Sequence, residues 1–403
     1  MTAMLSLSQL GILRNGMNYD RKAAISGCKI IGVADFGSKV FPDYQTLQEI
    51  DASIVSDDDL LHDGDILFVR SNGNKALVGR SMFIKNIHEP VCYSGFCIML
   101  RPNCDIVLPQ YLFYALRSPF CRRQYSYSQQ TNITNLSQSV LNSVIVPVPS
   151  YAEQKKSAKI LYDIDKKIEN NNLLCSELEA MAKTLYDYWF VQFDFPDKNG
   201  KPYRTSGGEM VWNKQLKREI PKRWDVTAIG KIADNFDSQR VPLSQNQRAN
   251  IQGTIPYYGA TGIMDYINDY IFDGQYVLIA EDGSVMDDSG HPIVQMIWDK
   301  TWVNNHAHVL QGHDDYSNEI LYFTLKSIPV VKIMTGSIQK KINQDNLNNY
   351  LIPSIPRKIL CQFHLLMKDA FEKIHQLELE SKELTKLRDW LLPMLMNGQA
   401  RVE

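Results

Sequence analysis

The stretch GDILFVRSNG at residues 64–73 returns as GQYVLIAEDG at residues 274–283, 210 positions later. Each copy has a glycine, a short apolar run typical of a strand, and a turn glycine. Three further blocks recur in the same order: LFYALRS as LYFTLKS, LN ahead of a proline, and the apolar positions of a helix. Because the offset drifts only from 210 to 206, the chain is a duplicated module of roughly 200 residues.

Each module is predicted to be a mixed globular part followed by a long helix. Apolar residues spaced by three and four from Ile160 to Trp189, and again from Phe371 to Leu395, indicate two amphipathic helices. The predicted fold class is α+β, with two globular domains separated by two long antiparallel coiled-coil helices in a pseudo-twofold internal repeat. The predicted boundaries are 1–150 for the first globular domain, 151–190 for the central helix, 191–220 for a linker, 221–356 for the second globular domain and 357–403 for the C-terminal helix.

Composition restricts the class of protein. The net charge of −2 argues weakly against nucleic-acid binding, unless the positive charge is local or partner subunits contact most phosphates. Seven cysteines without a CxxC pair fit reduced thiols, so we expect a cytoplasmic protein. No apolar run reaches the roughly 18 residues of a membrane span.

Motifs for catalysis are absent from the sequence. It contains no GxxxxGK[ST] phosphate loop, no GxSxG elbow and no HExxH zinc motif, so we expect a non-catalytic chain. His306, His308 and His313 are a weak metal candidate, because zinc sites usually need three or four ligands and no cysteine is near. We therefore predict no metal site and assign these histidines to hydrogen bonding or DNA contact.

Two polar segments of the first module are candidate DNA-reading loops, because arginine, asparagine and glutamine side chains hydrogen-bond base edges. The first segment surrounds a permissive glycine, and its candidates are Arg70, Ser71, Asn72, Asn74, Lys75 and Arg80. The second is rich in amides, and its candidates are Gln129, Gln130, Asn132 and Asn135. A solvated hairpin turn and a plain polar connection are the respective alternatives.

The second module has matching candidates. The counterpart of the amide-rich segment supplies Ser337, Gln339, Lys340 and Lys341. A glycine-bracketed aromatic loop adds Tyr257, Tyr258 and Thr261, with core packing as an equally weighted alternative. Asn305 and His306 complete the set. Glu281-Asp282-Gly283 replaces the arginine-containing loop of the first module, which fits two modules that read different bases.

Seven segments in order carry a resemblance to a known family. They are DILFVR at 65–70, PVP at 147–149 with Glu153-Gln154, WFVQFD at 189–194, EIPKRW at 219–224, IPYYGATG at 255–262, LIAEDGS at 278–284 and VNNHAHV at 303–309. Through these segments, which are spread over essentially its whole length, the sequence resembles the specificity subunits of type I restriction–modification systems.

The resemblance implies two target-recognition domains that each read one half of a split DNA site. The helices between them would act as a ruler that sets the spacer. Two modification subunits would carry S-adenosylmethionine and methylate adenine, and restriction subunits would use ATP and Mg. The chain itself would hold no cofactor and bind its partners through Leu178, Leu185, Trp189, Leu384 and Leu391.

Two other classes of function compete with this interpretation. A coiled-coil scaffold that binds only proteins is disfavoured by the polar loops at matched positions of both modules. A self-sufficient methyltransferase or restriction enzyme is disfavoured by the missing catalytic motifs.

Overall fold

The computed structural model describes residues 2–19, 27–37, 39–74, 77–126, 135–336 and 340–400. The chain divides into two compact units. Unit 1 comprises Met1–Asn171 together with Leu379–Glu403, and unit 2 comprises Asn172–Glu378. Unit 1 is thus built from both ends of the chain.

Unit 1 has a four-stranded sheet of order β2-β8-β5-β6, a three-stranded sheet of order β4-β3-β7 and the pair β1-β9. Its strands are β1 (Ala3–Ser6), β2 (Gly11–Asn15), β3 (Gly27–Ile31), β4 (Gln48–Asp51), β5 (Ile66–Val69), β6 (Ser81–Phe83), β7 (Val91–Tyr93), β8 (Cys97–Pro102) and β9 (Ile145–Val148). Its helices are α1 (Leu7–Leu10), α2 (Pro109–Arg117), α3 (Pro119–Ser126), α4 (Gln138–Asn142) and the start of α5 (Tyr151–Tyr186), which ends in unit 2.

Unit 2 has four-stranded sheets of order β13-β20-β17-β18 and β15-β14-β19-β16, and the pairs β12-β23, β10-β11 and β21-β22. Its strands are β10 (Met210–Asn213), β11 (Arg218–Pro221), β12 (Asp225–Ala228), β13 (Ala233–Asn235), β14 (Gln252–Tyr258), β15 (Ile263–Ile267), β16 (Phe272–Asp273), β17 (Tyr276–Ala280), β18 (Val294–Ile297), β19 (Lys300–Val303), β20 (Ala307–Gly312), β21 (Met334–Thr335), β22 (Lys341–Ile342) and β23 (Leu351–Ser354). Its helices are α6 (Gln245–Asn250), α7 (Asn318–Lys326), α8 (Gln344–Asn348) and α9 (Arg357–Met396), which ends in unit 1.

The sequence repeat corresponds to a repeat in topology. The apolar runs of the two repeated segments, 64–73 and 274–283, are β5 and β17, and each is the third strand of its four-stranded sheet. Both are buried on two faces because a helix covers one side and another layer of strands covers the other. The fold is therefore mixed α/β, with a long central helix and a long C-terminal helix.

The short helices α2 and α7, which occupy equivalent places in the repeat, are anchored to α5 in the same way. In unit 1 the Tyr114 hydroxyl donates to Asp165 Oδ2 at 2.7 Å, and the Arg388 guanidinium binds the other oxygen at 2.8 Å. In unit 2 the Tyr322 hydroxyl donates to Glu179, which also binds Lys326 at 2.7 Å. Burial is the main cause that raises the pKa of both tyrosines, so each remains a donor.

Besides the Asp165–Arg388 pair, a further polar contact joins α5 and α9 inside unit 1. Asn171 is buried, and its amide donates to Glu380 Oε2 at 2.9 Å and to Ser381 Oγ at 3.3 Å. An apolar residue there would leave these acceptors without that donor, so Asn171 fixes the register of the two helices. None of the helices in the described ranges has the length and hydrophobicity that a transmembrane span needs.

The segment predicted as a linker is packed against unit 2. Phe193 and Phe195 are buried, and the Phe195 ring stacks on Trp224 with centroids 5.1 Å apart. A hairpin of β10 and β11 follows. The aromatic side chains between the proline and glycine residues bind this segment to the core of unit 2.

Candidate nucleic-acid interface

Two polar segments of unit 1 that are far apart in sequence pair with each other just after the C-terminal end of β5. Ser71 and Asn135 form an antiparallel β-bridge, and the Leu136 amide donates to the Arg70 carbonyl at 2.8 Å. We call Arg70–Asn74 and Asn135–Leu136 the unit 1 loop pair. Four predicted site residues lie outside the described residues: Lys75, Gln129, Gln130 and Asn132.

The side chains of the unit 1 loop pair are held weakly. Arg70 is half-buried, and its guanidinium donates to the Gly95 carbonyl at 3.4 Å. Asn72 accepts from the Asn74 amide at 2.8 Å, which is a local turn contact. Asn135 is exposed. Arg80 donates to the Gly37 carbonyl, so it is held by a neighbouring loop and not by this pair.

Unit 2 has the same pairing of two segments just after the C-terminal end of β17. Asp282 and Lys341 form an antiparallel β-bridge, and the Ile342 amide donates to the Glu281 carbonyl at 2.8 Å. We call Glu281–Gly283 and Lys340–Ile342 the unit 2 loop pair. Lys340 and Lys341 are exposed, whereas the predicted Ser337 and Gln339 lie outside the described residues.

A charged network underlies the unit 2 loop pair. Glu281 accepts from Arg240 and from Lys341, each at 2.7 Å. Beneath it, Asp237 receives a hydrogen bond from His308 Nδ1 at 2.5 Å, while His308 Nε2 lies 3.0 Å from the Ile342 carbonyl. Both imidazole nitrogens therefore lie within hydrogen-bond distance of an oxygen, so neither is left over for another ligand.

The network also sets the protonation of its acids. Burial alone would raise the pKa of Asp237, but the hydrogen bond and charge of His308 outweigh it, so the pKa lies below its usual value. Burial likewise opposes ionisation of Glu281, and the hydrogen bonds from Lys341 and Arg240 lower its pKa instead. The bond to Glu281 raises the pKa of Lys341. Both carboxylates are therefore charged at neutral pH.

Three residues of this network have side chains that could bind a metal ion. Asp237, Glu281 and His308 offer ligand atoms that all lie within 4.8 Å of one another. The Arg240 guanidinium binds both acids, and both His308 nitrogens are already engaged. A cation here would compete with two protein cations, so we assign the three groups to the hydrogen-bond network.

The segments IPYYGATG at 255–262 and VNNHAHV at 303–309 are connected to each other by Asn304, and the second also contacts the unit 2 loop pair. The buried Asn304 donates its amide to the Tyr258 carbonyl at 3.0 Å, and its Oδ1 accepts from the His306 amide at 2.8 Å. The His306 carbonyl accepts from the Glu281 amide at 2.8 Å. Asn305 and His306 are exposed on this turn. A Cβ on Gly259 would lie 2.4 Å from the Met264 sulfur, so the exposed Met264 side chain would have to move to admit one.

Tyr257 corrects one prediction. Its side chain is only 1% exposed, and its hydroxyl accepts from the Leu243 amide at 3.0 Å. It lies on the inward face of β14 and packs in the core, so its ring is not available to DNA. The neighbouring Tyr258 is half-buried, and burial raises its pKa to about 12. Thr261, at the tip of the loop, is exposed.

The helical residues predicted to bind partners are more buried than expected. Trp189 is 4% exposed and packs in the core of unit 2, which corrects its assignment to a partner surface. Leu185 and Leu391 are half-buried against the cores of unit 2 and unit 1 respectively, and Leu178 and Leu384 are half-buried. The exposed apolar positions include Met181 and Leu387, which are equivalent in the repeat.

Sequence reasoning missed the residues that hold the unit 2 loop pair. Asp237 and Arg240 lie on a 3-10 turn that carries no recognisable motif. Their partners are about 40 to 70 residues away in the chain. The only available signal was the acidic Glu281-Asp282 pair, which requires cationic neighbours when it follows a buried strand.

The chain is similar to a family of known proteins over most of its length. Residues 43–180 and 221–359 match the family described as "Type I restriction modification DNA specificity domain". The Type I restriction enzyme MjaIX specificity subunit of Methanocaldococcus jannaschii is 29% identical over 320 residues, covering 74% of this chain and 71% of that protein. The HindI specificity subunit of Haemophilus influenzae is 23% identical over 410 residues, covering 83% and 86%.

A solved structure has a similar fold, and this likeness concerns the fold only. It is the crystal structure of the S subunit of a type I restriction-modification system from M. genitalium, with a TM-score of 0.51 and 14% identity. The match covers 98% of this chain and 96% of that chain.

Proposed function

The chain belongs to the type I restriction–modification specificity family and is a DNA-recognition subunit, and we propose that each of its loop pairs reads one half of a bipartite DNA site. One observation carries the finer proposal. The same two-segment polar surface is built twice, with Ser71 bridged to Asn135 and Asp282 bridged to Lys341. Two copies of one reading surface with different side chains fit two half-sites of different sequence.

The chemistry of the two surfaces supports direct base reading. Arginine forks bind guanine, carboxamides bind adenine, and acids accept from the cytosine amino group. Unit 1 offers Arg70, Asn72 and Asn135, and unit 2 offers Asp282, His306 and exposed lysines. The candidate DNA-binding residues outside the described part of the chain stay in this proposal: Lys75, Gln129, Gln130, Asn132, Ser337 and Gln339.

Catalysis is assigned to partners in this proposal. Two modification subunits would bring S-adenosylmethionine and methylate adenine, and restriction subunits would bring ATP and Mg. The chain would direct them without catalysing a step itself. Its two globular domains would act as target-recognition domains, with the antiparallel helices α5 and α9 between them as the ruler.

The experiment that tests this proposal is to co-express the chain with its genomic neighbours and to map DNA methylation at single-base resolution. A split motif with one modified adenine in each half is the expected result. An active methyltransferase partner that gives no split motif would reject it in favour of a protein-binding scaffold.

Met181 and Leu387 are the positions where we propose that modification subunits bind. They are 56% and 43% exposed and occupy equivalent sites of the repeat, as two copies of one partner require. Met181→Asp and Leu387→Asp should each weaken co-purification of one modification subunit, because a charge in an apolar interface is costly. The exposed Lys183 on α5 supplies the control, Lys183→Asp; an equal loss there would reject this surface.

The ruler is tested by length. Seven residues added to both helices, after Asn171 and after Glu378, lengthen each by about 10 Å. The preferred spacer should grow by about three base pairs, since base pairs are 3.4 Å apart. An unchanged spacer would reject the ruler.

A further inference from the structure

His306 and Asp282 form an exposed pair at the meeting point of the unit 2 segments. His306 Nδ1 lies 2.6 Å from Asp282 Oδ1. Building on the DNA-recognition function proposed above, we propose that His306, positioned by Asp282, accepts a hydrogen bond from an exocyclic amino group of a base in the unit 2 half-site. Nε2 is the accepting atom, and adenine N6 or cytosine N4 is the donor.

The tautomer follows from the partner. An ionised carboxylate can only accept, so the contact with Asp282 places a proton on Nδ1. In the neutral imidazole Nε2 then carries a lone pair. Within the part of the chain that the structure describes, Nε2 makes no hydrogen bond, and the His306 side chain is 46% exposed. In this neutral form the ring presents an acceptor outward.

The backbone fixes where this acceptor points. The His306 amide donates to Asn304 Oδ1 at 2.8 Å, and its carbonyl accepts from the Glu281 amide at 2.8 Å. Asp282 is itself held by its β-bridge to Lys341. Both members of the pair thus lie on anchored backbone, and a side chain with two rotatable bonds loses little further entropy on binding.

The chemistry selects between classes of DNA group. In the major groove, only the amino groups of adenine and cytosine donate, whereas guanine and thymine present acceptors at the corresponding positions. Phosphate oxygens also only accept, so a lone pair at Nε2 is repelled by the backbone. His306 is therefore assigned as a base-reading residue, and Asp282 as the residue that positions it.

The test uses the chain purified with its modification subunits and duplexes that carry the mapped motif. In the unit 2 half-site, purine replaces each adenine in turn and 2-pyrimidinone replaces each cytosine, which deletes one amino group at a time. Binding is measured, because replacing the methylated adenine would remove the substrate of the methylation assay. At one position the wild-type complex should lose about tenfold in affinity. His306→Phe should bind the normal duplex about tenfold more weakly and show no further loss at that position.

Asp282→Ala should shrink the same penalty severalfold and leave the unit 1 half-site penalties unchanged. A purely structural role for the pair would instead change all penalties of the unit 2 half-site together. The inference is overturned if every amino deletion costs His306→Phe as much as it costs the wild type. Loss of the split motif itself would reject the proposed function, whereas an intact motif with unchanged penalties would reject only the role of His306.

Discussion

The unit 1 loop pair and the unit 2 loop pair share one backbone connection and have opposite electrostatics. The residue whose carbonyl accepts from the second segment is Arg70 in unit 1 and Glu281 in unit 2. Arg70 meets one carbonyl oxygen at 3.4 Å, whereas Glu281 is bound by Arg240 and Lys341 at 2.7 Å. The bridge tolerates this exchange because it is made by main-chain groups, which leaves the side chains free to differ between half-sites.

The difference also separates two ways of ordering a loop. In unit 2 the loop is fixed from below by buried charges, so its shape is set before any ligand arrives. In unit 1 the Arg70 guanidinium meets a neutral carbonyl oxygen at 3.4 Å and no buried acid is described beneath it, so binding must supply more of the order. The contrast can be tested by substitution, by acid and by DNA binding.

Breaking the charged network should have the largest effect. Glu281→Ala leaves Arg240 and Lys341 without their shared acceptor, and we expect a loss of about 3 kcal/mol in the free energy of unfolding of unit 2. Tryptophan fluorescence in urea measures it selectively, because five of the six tryptophans lie in unit 2. Arg70→Ala is the matched control, and its stability should change by less than about 1 kcal/mol when followed by circular dichroism. Equal losses in the two variants would remove the contrast.

Acid should act on the same network with a smaller effect, since protonation leaves the side chains in place. Asp237 and Glu281 have lowered pKa values in the folded chain, so their contribution is present above their unfolded values, about pH 4.5, and is lost as pH falls further. The urea midpoint of unit 2 should therefore fall between about pH 4.5 and pH 3. Asp237→Asn combined with Glu281→Gln should flatten this dependence. A dependence of the same slope in the double variant would contradict the assignment.

Substitution of Arg70 in the unit 1 loop pair should weaken DNA binding. Arg70→Ala should lower affinity about tenfold, through one half-site only, if its guanidinium reads a base. Competition between duplexes that each carry one altered half-site measures this. A uniform loss over all duplexes would assign Arg70 to phosphate, and no loss would remove it from the interface.

The smallest effect is expected at Lys340, whose exposed ammonium is suited to phosphate contact. Lys340→Ala should weaken binding evenly across sequences and reduce the slope of log affinity against log salt by about one. Lys341→Ala, which also removes the bond to Glu281, should cost stability as well. A change of sequence preference in Lys340→Ala would show that unit 2 reads bases with this residue.

The sequence was sufficient for the repeated elements. Glycine-bounded apolar runs located β5 and β17, and spacings of three and four located α5 and α9, because strong local periodicity needs no tertiary information. The polar character of the loops was also visible in advance. Their pairing was not, since nothing local at Ser71 indicates a bridge to Asn135, 64 positions away.

The failures have physical causes. Tyr257 lies beside a glycine-containing loop, and its side chain points inward because of the face that β14 packs against the core. The pairing of β14 with β15 has two register shifts, so the alternation of apolar and polar residues in the sequence does not show which face that is. Trp189 continues an apolar stripe, and the stripe alone cannot tell which part packs against the protein's own core. The Arg240–Glu281 pair joins residues 41 apart, so it is invisible to any pattern of spacing.

The allotment of α5 and α9 to both units has a consequence for how the chain could be divided. Each module begins a helix in its own unit and completes it in the other, at Asn171/Asn172 and Glu378/Leu379. A half-length chain would therefore end in a helix tip with no core to join. Two identical halves could exchange those helix ends, as in a domain-swapped homodimer. Such a dimer would recognise a palindromic DNA site, whereas the fused chain would recognise two half-sites of different sequence.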